Sequence, residues 1–400
     1  MPRDKVKPKV GTEVTGDCRF DQPELEAEFD SVIAGSTGAK LFGLRRVGKS
    51  SEVAACAERL GAPPHNCLVI RETAEGMSSE AHLLAAILSK LPRQGWLERI
   101  TSAIAEDNAI ASAVRDGVGK LTGSHATNVQ AYFGPIAITI ERTVRHTDRI
   151  VLVIDEFPWL CRSILQSDAA GGRGRVDVLL AALRRWRKQG LRMVLLGSIG
   201  MVGLSRKYGL DLSHLADLMP LEVPPLSLAE ARVMVRALVA GGEIRDWSEA
   251  HTEELLSESG ALYTSMIQRG FLALTLGGKA APLAAIPELF AEKVRPNLDA
   301  TFYQQFDKRV HAYRDLAEPF PLLLPSMLKR VLTAPGPTPL QALHEAAGES
   351  ISAADLGDAM DILREDGFLR VRIQRDASQM WSPASSLVTA WWAQRRGGLV

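Results

Sequence analysis

The sequence has few cysteines, and their arrangement matches no cysteine-based site. The four, Cys18, Cys56, Cys67 and Cys161, lie far apart in 400 residues, with no C-x-x-C pair and no histidine cluster beside them. Disulfide frameworks and zinc sites both need cysteines at short, recurring spacing. We therefore exclude a disulfide framework and a zinc site, and we expect reduced thiols in a cytoplasmic protein.

An excess of charge is also missing, because 47 Lys and Arg balance 47 Asp and Glu. This balance excludes non-specific wrapping of nucleic acid through bulk charge and leaves a local basic patch open. No apolar run approaches the length of a membrane span, so we expect no membrane association. The first ten residues are basic and lack an apolar stretch, so we expect no signal peptide.

Hydrophobic residues make up 46% of the chain, enough for the cores of two or three domains. In the N-terminal half, apolar runs alternate with helical patterns. The predicted strands are KLFG, CLVIRE, RIVLVIDE and RMVLLGS, and the predicted helices include Pro23–Ile33, Lys49–Leu60 and Val176–Gly190. Residues 78–145 read as mostly helical, with breaks near Gly95, Gly123 and Gly134-Pro135. Alternation of this kind predicts an α/β fold with a parallel sheet covered by helices.

The composition changes after MPLEVPPLSLAE, where Ser227 and Glu230 form a capping box before a helical run. From there to about Leu316 the pattern predicts helices only. Three further helices follow, Ser326–Leu332, Leu340–Ala347 and Ala353–Asp366, and then an alternating hairpin, which is the outline of a winged helix. We predict a loose tail at 1–16, an α/β core at 17–226, a helical domain at 227–318 and a winged-helix domain at 319–400.

A glycine-rich loop lies between a predicted strand and a predicted helix. Residues 43–50 match G-x-x-x-x-G-K-[ST], the pattern of a phosphate-binding loop in its required context. Gly43 and Gly48 would let main-chain N–H groups point at phosphate oxygens. Lys49 would reach the β- and γ-phosphates of ATP, and Ser50 would bind Mg²⁺. The alternative is a basic glycine turn before a surface helix.

Two acidic residues, Asp155 and Glu156, follow the most apolar predicted strand. The carboxyl ends of parallel strands form the edge where ligands bind in open α/β sheets. Asp155 fits a residue that holds the hydration shell of Mg²⁺, and Glu156 fits a base that orients or deprotonates the attacking water. The alternative is a polar strand end that leads into a loop.

Ser198 ends another apolar strand, which we expect beside the strand of Asp155. The Ser198 hydroxyl would hold the attacking water or sense the γ-phosphate. The alternative is a turn residue that only ends the strand. Arg206 and Lys207 follow on a short helix. Either side chain would reach the phosphate of a neighbouring subunit, in the role of an arginine finger. The alternative is a solvated surface side chain.

These three motifs, in this order, resemble those of the AAA+ ATPases, and GLRRVGKSS, IDEFPWL and LLGSIGMV resemble the archaeal-type branch of the STAND signal-transduction ATPases. In the upstream segment Phe20, Glu24 and Leu25 match that branch, whereas Gln22 stands where an arginine is usual. The resemblance implies a Mg²⁺-dependent ATPase, with 17–226 as its P-loop ATPase core, 227–318 as a helical lid and 319–400 as a C-terminal winged helix. The nucleotide-binding residues that it implies are Gly43, Leu44, Arg45, Arg46, Val47, Gly48, Lys49, Ser50 and Ser51.

The predicted third helix of the winged helix is acidic, whereas the hairpin contains Arg370, Arg372 and Arg375. An acidic helix repels phosphate, so a protein contact or internal docking is favoured over sequence-specific DNA reading, and a contact through the wing stays open. Trp391 and Trp392 lie on a helix with Leu387 and Val388, which favours packing over base stacking.

Three functions remain open. The favoured one is an ATP-hydrolysing switch that passes its nucleotide state to a protein partner or to another copy, in signalling, regulation or defence. The second is a DNA-binding AAA+ ATPase that acts as a loader or regulates transposition or replication. The third is a nucleotide-binding scaffold without turnover.

Overall fold

The structure is a computed structural model, which describes residues 4–11, 13–35, 37–91, 133–145 and 149–395. The chain divides into two compact units that do not follow the order of the sequence. The first unit consists of Met1–Glu26, Gly43–Ala54 and Glu222–Val400, and the second of Ala27–Phe42 and Ala55–Leu221. Among the described residues, no helix is both long and apolar enough to cross a membrane.

The described residues up to Leu221 form an α/β arrangement, in agreement with the predicted fold class. The strands are β1 (Gly38–Phe42), β2 (Leu68–Thr73), β3 (Ile150–Asp155), β4 (Arg192–Gly197) and β5 (Met219–Pro220). The helices are α1 (Pro23–Gly35), α2 (Lys49–Gly61), α3 (Glu80–Lys90), α4 (Phe133–Arg145), α5 (Phe157–Ser167), α6 (Gly172–Lys188) and α7 (Met201–Tyr208).

The five strands pair in parallel in the order β2-β3-β4-β1-β5. The four strands predicted from apolar runs are all present, and β3 is buried along Ile150–Ile154 as its composition predicts. The two-residue strand β5 was not predicted. It lies at the edge of the sheet, the place where a strand tolerates a proline such as Pro220.

The register of the sheet brings two strand ends to the same edge. In the pairing of β1 with β4, Phe42 lies opposite Gly197, and in the pairing of β3 with β4, Ile154 lies opposite Leu195. Asp155 therefore ends β3 within one residue of the level at which Phe42 ends β1. Because β4 alone separates the two strands, the loop that follows Phe42 starts from the same edge as Asp155.

The helical prediction for residues 78–145 is only partly covered by the structure. Helices α3 and α4 lie within this range, while residues 92–132, with the breaks predicted near Gly95 and Gly123, lie outside the described residues. Near the third predicted break, at Gly134-Pro135, α4 begins at Phe133 and includes both residues in its first turn. Proline is tolerated there because the first-turn N–H groups have no partner inside the helix.

The C-terminal part of the first unit is mostly helical. Its helices are α8 (Leu228–Gly242), α9 (Glu249–Ser259), α10 (Thr264–Ala273), α11 (Ile286–Leu289), α12 (Arg295–Leu298), α13 (Gln304–Ala312), α14 (Phe320–Thr333), α15 (Leu340–Ala347), α16 (Ala353–Glu365) and α17 (Ser386–Arg395). Its strands are β6 (Thr275–Leu276), β7 (Lys279–Ala280), β8 (Thr338–Pro339), β9 (Leu369–Ile373) and β10 (Gln379–Pro383). The capping box of Ser227 and Glu230 begins α8, as predicted.

The prediction of helices only before Leu316 is wrong at one point. Strands β6 and β7 form a small antiparallel hairpin, joined by Gly277 and Gly278 with φ of 58° and 74°. A two-residue turn of this type needs positive φ at both positions, which glycine adopts without strain. Further on, two π-helical segments, Phe290–Val294 and Asp299–Tyr303, separate α11, α12 and α13.

Residues 320–395, here named the C-terminal block, contain the predicted three helices and hairpin. Helix α14 begins at Phe320, six residues earlier than predicted, and β8 adds a third strand in the order β8-β10-β9. Trp391 is fully buried against Phe306 and Phe368, and its indole N–H donates to Asp307 Oδ1 at 2.8 Å. The predicted packing role of this tryptophan is therefore confirmed.

The N-terminal residues also take part in the packing of the first unit. Val6 is fully buried, and its N–H donates to Ala237 O on α8 at 2.9 Å. A Cβ added to Gly241 would lie 2.1 Å from Val6 O, so the segment runs directly along the helix. Part of the stretch that the sequence predicts as a loose tail is thus held by α8.

Gly38 provides a test of how β1 is placed beside β4. Its φ is 135°, and an added Cβ would lie 1.8 Å from Met193 O. We expect Gly38→Ala to lower the free energy of unfolding by about 3 kcal/mol or more, measured by chemical denaturation. The control is Gly174→Ala in α6, where a Cβ meets no heavy atom within 4 Å, and this change should stabilise the protein by roughly 0.5 kcal/mol. Equal effects of the two changes would contradict this account of β1.

Candidate nucleotide site

The loop between β1 and α2 turns through backbone conformations that favour glycine. Gly43 and Gly48 have φ of 149° and 107°, at the two glycine positions of the sequence pattern. Arg46 also has a positive φ, 63°, which its residue type does not predict. Helix α2 begins at Lys49, immediately after the loop, so its first-turn N–H groups lie next to the loop. These are the features of a turn that can surround an anion.

The ammonium group of Lys49 is held by the main chain of this loop. Its Nζ donates to Gly43 O at 3.2 Å and also to Leu44 O. Lys49 is partly buried, and two carbonyl acceptors fix its long side chain back over the loop. The arrangement places a positive charge beside the positive end of α2, and charges of this sign at a helix N-terminus favour an anion.

The two serines after Lys49 lie on the first turn of α2, both partly buried. Ser51 Oγ accepts the N–H of Val14 at 2.9 Å, so its hydroxyl connects α2 to the N-terminal segment. Ser50 occupies the position that the pattern assigns to magnesium. A hydroxyl oxygen is a hard donor of the kind that Mg²⁺ selects.

The same loop contacts more distant parts of the first unit. Arg46 Nη1 donates to Thr301 Oγ1 at 3.2 Å, in the second π-helical segment, and Ser265 Oγ of α10 donates to Arg46 O at 2.5 Å. Leu44 packs against the turn after α16, where a Cβ on Gly367 would lie 2.7 Å from Leu44 Cγ. Arg46 therefore connects the loop to the helical part of the unit, a role that local sequence could not indicate.

A second arginine lies near Arg46. Burial, and then the charge of Arg46, lower the pKa of Arg269 on α10 below its usual value. The two guanidinium groups are therefore close enough for their charges to repel each other. Arg269 lies outside the sequence motifs.

The N-terminal segment is attached to α2 by a buried ionic network. Arg19 Nη2 donates to Glu52 Oε2 at 2.6 Å and to Glu26 Oε1, and Gln22 Nε2 donates to Glu52 Oε1 at 3.3 Å. Burial alone would lower the pKa of Arg19, but Glu52 and Glu26 together raise it above its usual value. Gln22, which replaces an arginine of the resembling branch, thus shares its acceptor with Arg19. Sequence reasoning missed Arg19 because its partner lies 33 residues away.

In the second unit, β3 ends in the acidic pair. Asp155 Oδ1 accepts the N–H of Glu156 at 2.8 Å. Glu156 has a left-handed backbone, with φ of 54° and ψ of 33°, and precedes α5. Its Oε2 accepts two hydrogen bonds from Ser198, from the N–H at 3.1 Å and from the hydroxyl at 2.8 Å. Ser198 follows β4, the strand beside β3, so the structure brings these two predicted site residues into contact.

Arg206 and Lys207 lie on α7, and both are exposed. Lys207 Nζ lies 5.9 Å from the ring centroid of Tyr208. Exposure is compatible with a finger that reaches another subunit and with a solvated side chain, so the role of Arg206 stays a prediction.

Ser50 and Asp155 stay a prediction as magnesium ligands, and each carries an oxygen donor of the kind that magnesium selects. Within the described ranges, no group of three or more His, Cys, Asp or Glu is placed to hold a metal ion by itself. Magnesium at phosphate sites needs only one or two protein oxygens, because phosphates and waters supply the others. The Ser50 hydroxyl and the Asp155 carboxylate are oxygen donors of this type.

Comparisons with known proteins rest on the fold, because no protein family and no curated sequence matches. The Walker-type ATPase PABY2304 of Pyrococcus abyssi matches over 98% of this chain and 99% of its own, with a TM-score of 0.52 and 15% identity. This chain has the fold of a Walker-type ATPase. Two structures are less similar. The ORC2 protein of Aeropyrum pernix in its ADP form matches over 98% of this chain and 97% of its own, with a TM-score of 0.43 and 11% identity. Cdc6p from Pyrobaculum aerophilum matches over 94% of each chain, with a TM-score of 0.38 and 12% identity.

The ionic network at the start of α2 gives a testable stability difference. The side chains of Arg19 and Glu52 are 7% and 6% exposed, so Arg19→Met leaves a buried carboxylate without its main partner. We expect a loss of about 3 kcal/mol in the free energy of unfolding, and a smaller loss in Arg19→Met/Glu52→Gln. Arg232→Met, which breaks the exposed pair with Glu253, is the control and should change stability little. A double variant less stable than Arg19→Met would show that burial of this charge is not the cause.

Proposed function

We propose that this protein binds ATP with Mg²⁺ and hydrolyses it slowly, as a switch of the AAA+ and STAND type. The observation that carries the proposal is the position of Lys49, whose ammonium is bonded to the carbonyls of a left-handed glycine loop at the start of α2. Two facts support it: this loop leaves β1 at the sheet edge where Asp155 ends β3, and the fold is that of a Walker-type ATPase.

The residues have separate tasks in this proposal. The main-chain amides around Gly43 and Gly48 receive phosphate oxygens, and Lys49 neutralises the β- and γ-phosphates. Ser50 and Asp155 would hold magnesium, which would neutralise charge on the phosphate oxygens. Glu156 accepts the proton of the attacking water.

The contacts of the loop support a switch over a passive scaffold. Leu44 and Arg46 lie in the loop itself, yet they contact the turn at Gly367 and the π-helical segment at Thr301. Tyr313 Oη in turn donates to Asp366 Oδ2 at 2.8 Å, next to Gly367. A change in the loop on nucleotide binding therefore has a packed route to the C-terminal block, which we propose to be a winged helix. The receiver would be a protein partner or another copy of the chain, in signalling, regulation or defence.

Nucleotide binding and hydrolysis are separable by two substitutions. Lys49→Ala should weaken ATP affinity about tenfold or more, because it removes a charged hydrogen-bond donor to phosphate. Glu156→Gln should keep ATP affinity within about twofold and lower kcat by at least roughly a hundredfold, because the amide cannot accept the proton. Calorimetry and phosphate release measure the two effects, with Lys188→Ala at the exposed end of α6 as control. Hydrolysis that is unchanged in Lys49→Ala would refute the proposal. If the parent protein binds ATP and does not hydrolyse it, the nucleotide-binding scaffold is the function that remains.

Coupling to the C-terminal block is tested by hydrogen exchange. In the Glu156→Gln background, addition of ATP should change amide exchange around Gly367. Thr301→Val with Ser265→Ala removes both hydrogen bonds of Arg46 to the helical part and should reduce that change by half or more. Thr338→Val, at a buried threonine of β8, is the matched control. A response of equal size in the double variant and the control would show that Arg46 does not couple the two regions.

The hairpin of β9 and β10, here named the wing, favours a second candidate function. This function is a DNA-binding ATPase that acts as a loader or as a regulator of transposition or replication. Arg370, Arg372 and Arg375 are exposed on and after β9, and Ile373 beside them is 67% exposed. A basic wing with an exposed apolar residue suits the phosphate backbone of a duplex. Binding of duplex DNA that weakens steeply with salt, and is lost when the three arginines are changed to serine, would favour this function over a protein contact. DNA binding that does not depend on these arginines would exclude the wing as the DNA-binding surface.

A further inference from the structure

The indole of Trp159 is connected by hydrogen bonds to the proposed base. Trp159 lies in the first turn of α5, three residues after Glu156, and its Nε1 donates to Ser198 Oγ at 2.8 Å. Ser198 Oγ donates to Glu156 Oε2, also at 2.8 Å. The three side chains therefore form one chain of hydrogen bonds from α5 through the end of β4 to the end of β3.

The chemistry of the three groups sets the direction of each bond. An indole N–H only donates, an ionised carboxylate only accepts, and a hydroxyl has one proton to give. Ser198 must therefore accept from Trp159 and donate to Glu156. With its proton directed to Glu156, the Ser198 hydroxyl holds the carboxylate and does not donate to a water or to the γ-phosphate. Together with the Ser198 N–H, it restricts rotation of the Glu156 carboxyl group.

The local backbone keeps Trp159 close to Ser198. A Cβ on Gly197 would lie 2.5 Å from Pro158 Cδ, so the first turn of α5 packs directly on the end of β4. The left-handed backbone of Glu156 persists only where surrounding structure enforces it. The guanidinium of Arg162 lies 5.0 Å from the ring centroid of Trp159 and fixes the indole further.

We propose that Trp159 is a positioning residue for ATP hydrolysis, acting through Ser198 on Glu156. The inference rests on the proposed function and assigns Trp159 to that site. In the reaction, Glu156 accepts a proton from the water whose oxygen attacks the γ-phosphorus. The bond from that phosphorus to the bridging oxygen breaks, and its electron pair leaves with ADP. Trp159 fixes the hydroxyl of Ser198, and Ser198 keeps the carboxylate in the orientation that takes the proton.

Trp159→Phe tests the inference, because phenylalanine keeps an aromatic face for Arg162 and removes the donor. We expect kcat to fall about fivefold to tenfold, as for loss of one hydrogen bond, with KM for ATP and affinity for a non-hydrolysable analogue unchanged. Ser198→Ala should lower kcat further, and Ser198→Thr should restore most of it. On the Ser198→Ala background, Trp159→Phe should have no additional effect, because its contact acts through the missing hydroxyl.

Trp186→Phe is the matched control. The Trp186 indole is fully buried in the same unit and donates to Ala137 O at 3.1 Å, so this variant also loses an indole hydrogen bond, here a buried one. It should lower thermal stability and leave kcat unchanged. An unchanged kcat in Trp159→Phe, a fall as large on the Ser198→Ala background as in the parent, or a rise in KM alone would overturn the inference. If the parent chain binds ATP and does not hydrolyse it, the enzymatic function fails and this inference with it.

Discussion

The structure depends above all on the ammonium of Lys49 and the loop carbonyls that hold it. They belong to a loop in which Gly43 and Gly48 have positive φ, a backbone conformation that other residues avoid. The charge of Lys49 then lies beside the positive end of α2, and β1 delivers the loop to the edge of a parallel sheet. The loop, the lysine and the helix end together are the observation from which we propose a triphosphate site.

The loop is also the point at which the parts of the first unit meet. Glu52, one turn into α2, binds Arg19 from the N-terminal segment, and Arg46 binds the helices after Glu222. Leu44 packs on the turn at Gly367 of the C-terminal block. A change of shape at the loop would disturb all of these contacts, since packed groups rearrange together and do not deform continuously. This is the physical reason for favouring a switch over a scaffold.

In the second unit, the residues at the end of β3 hold the Glu156 carboxylate in a defined orientation. Glu156 has a strained backbone, and its side chain is held by the N–H and the hydroxyl of Ser198. The parallel pairing of β3 and β4 provides this contact, because their carboxyl ends lie within one residue of the same level. Strain at such a place is typical of groups whose geometry matters for function.

The sequence by itself determined the four apolar strands, the loop with Gly43 and Gly48, and the acidic pair. These features follow from local hydrophobic patterns and from short motifs in which particular residue types are required. It did not reveal β5 or the hairpin at Gly277-Gly278, where the runs are too short to show a pattern. Only the tertiary structure decided the partners of Arg19, Arg46 and Trp159. Those contacts join residues far apart in the chain, and their energies depend on burial and distance, which no local stretch of sequence contains.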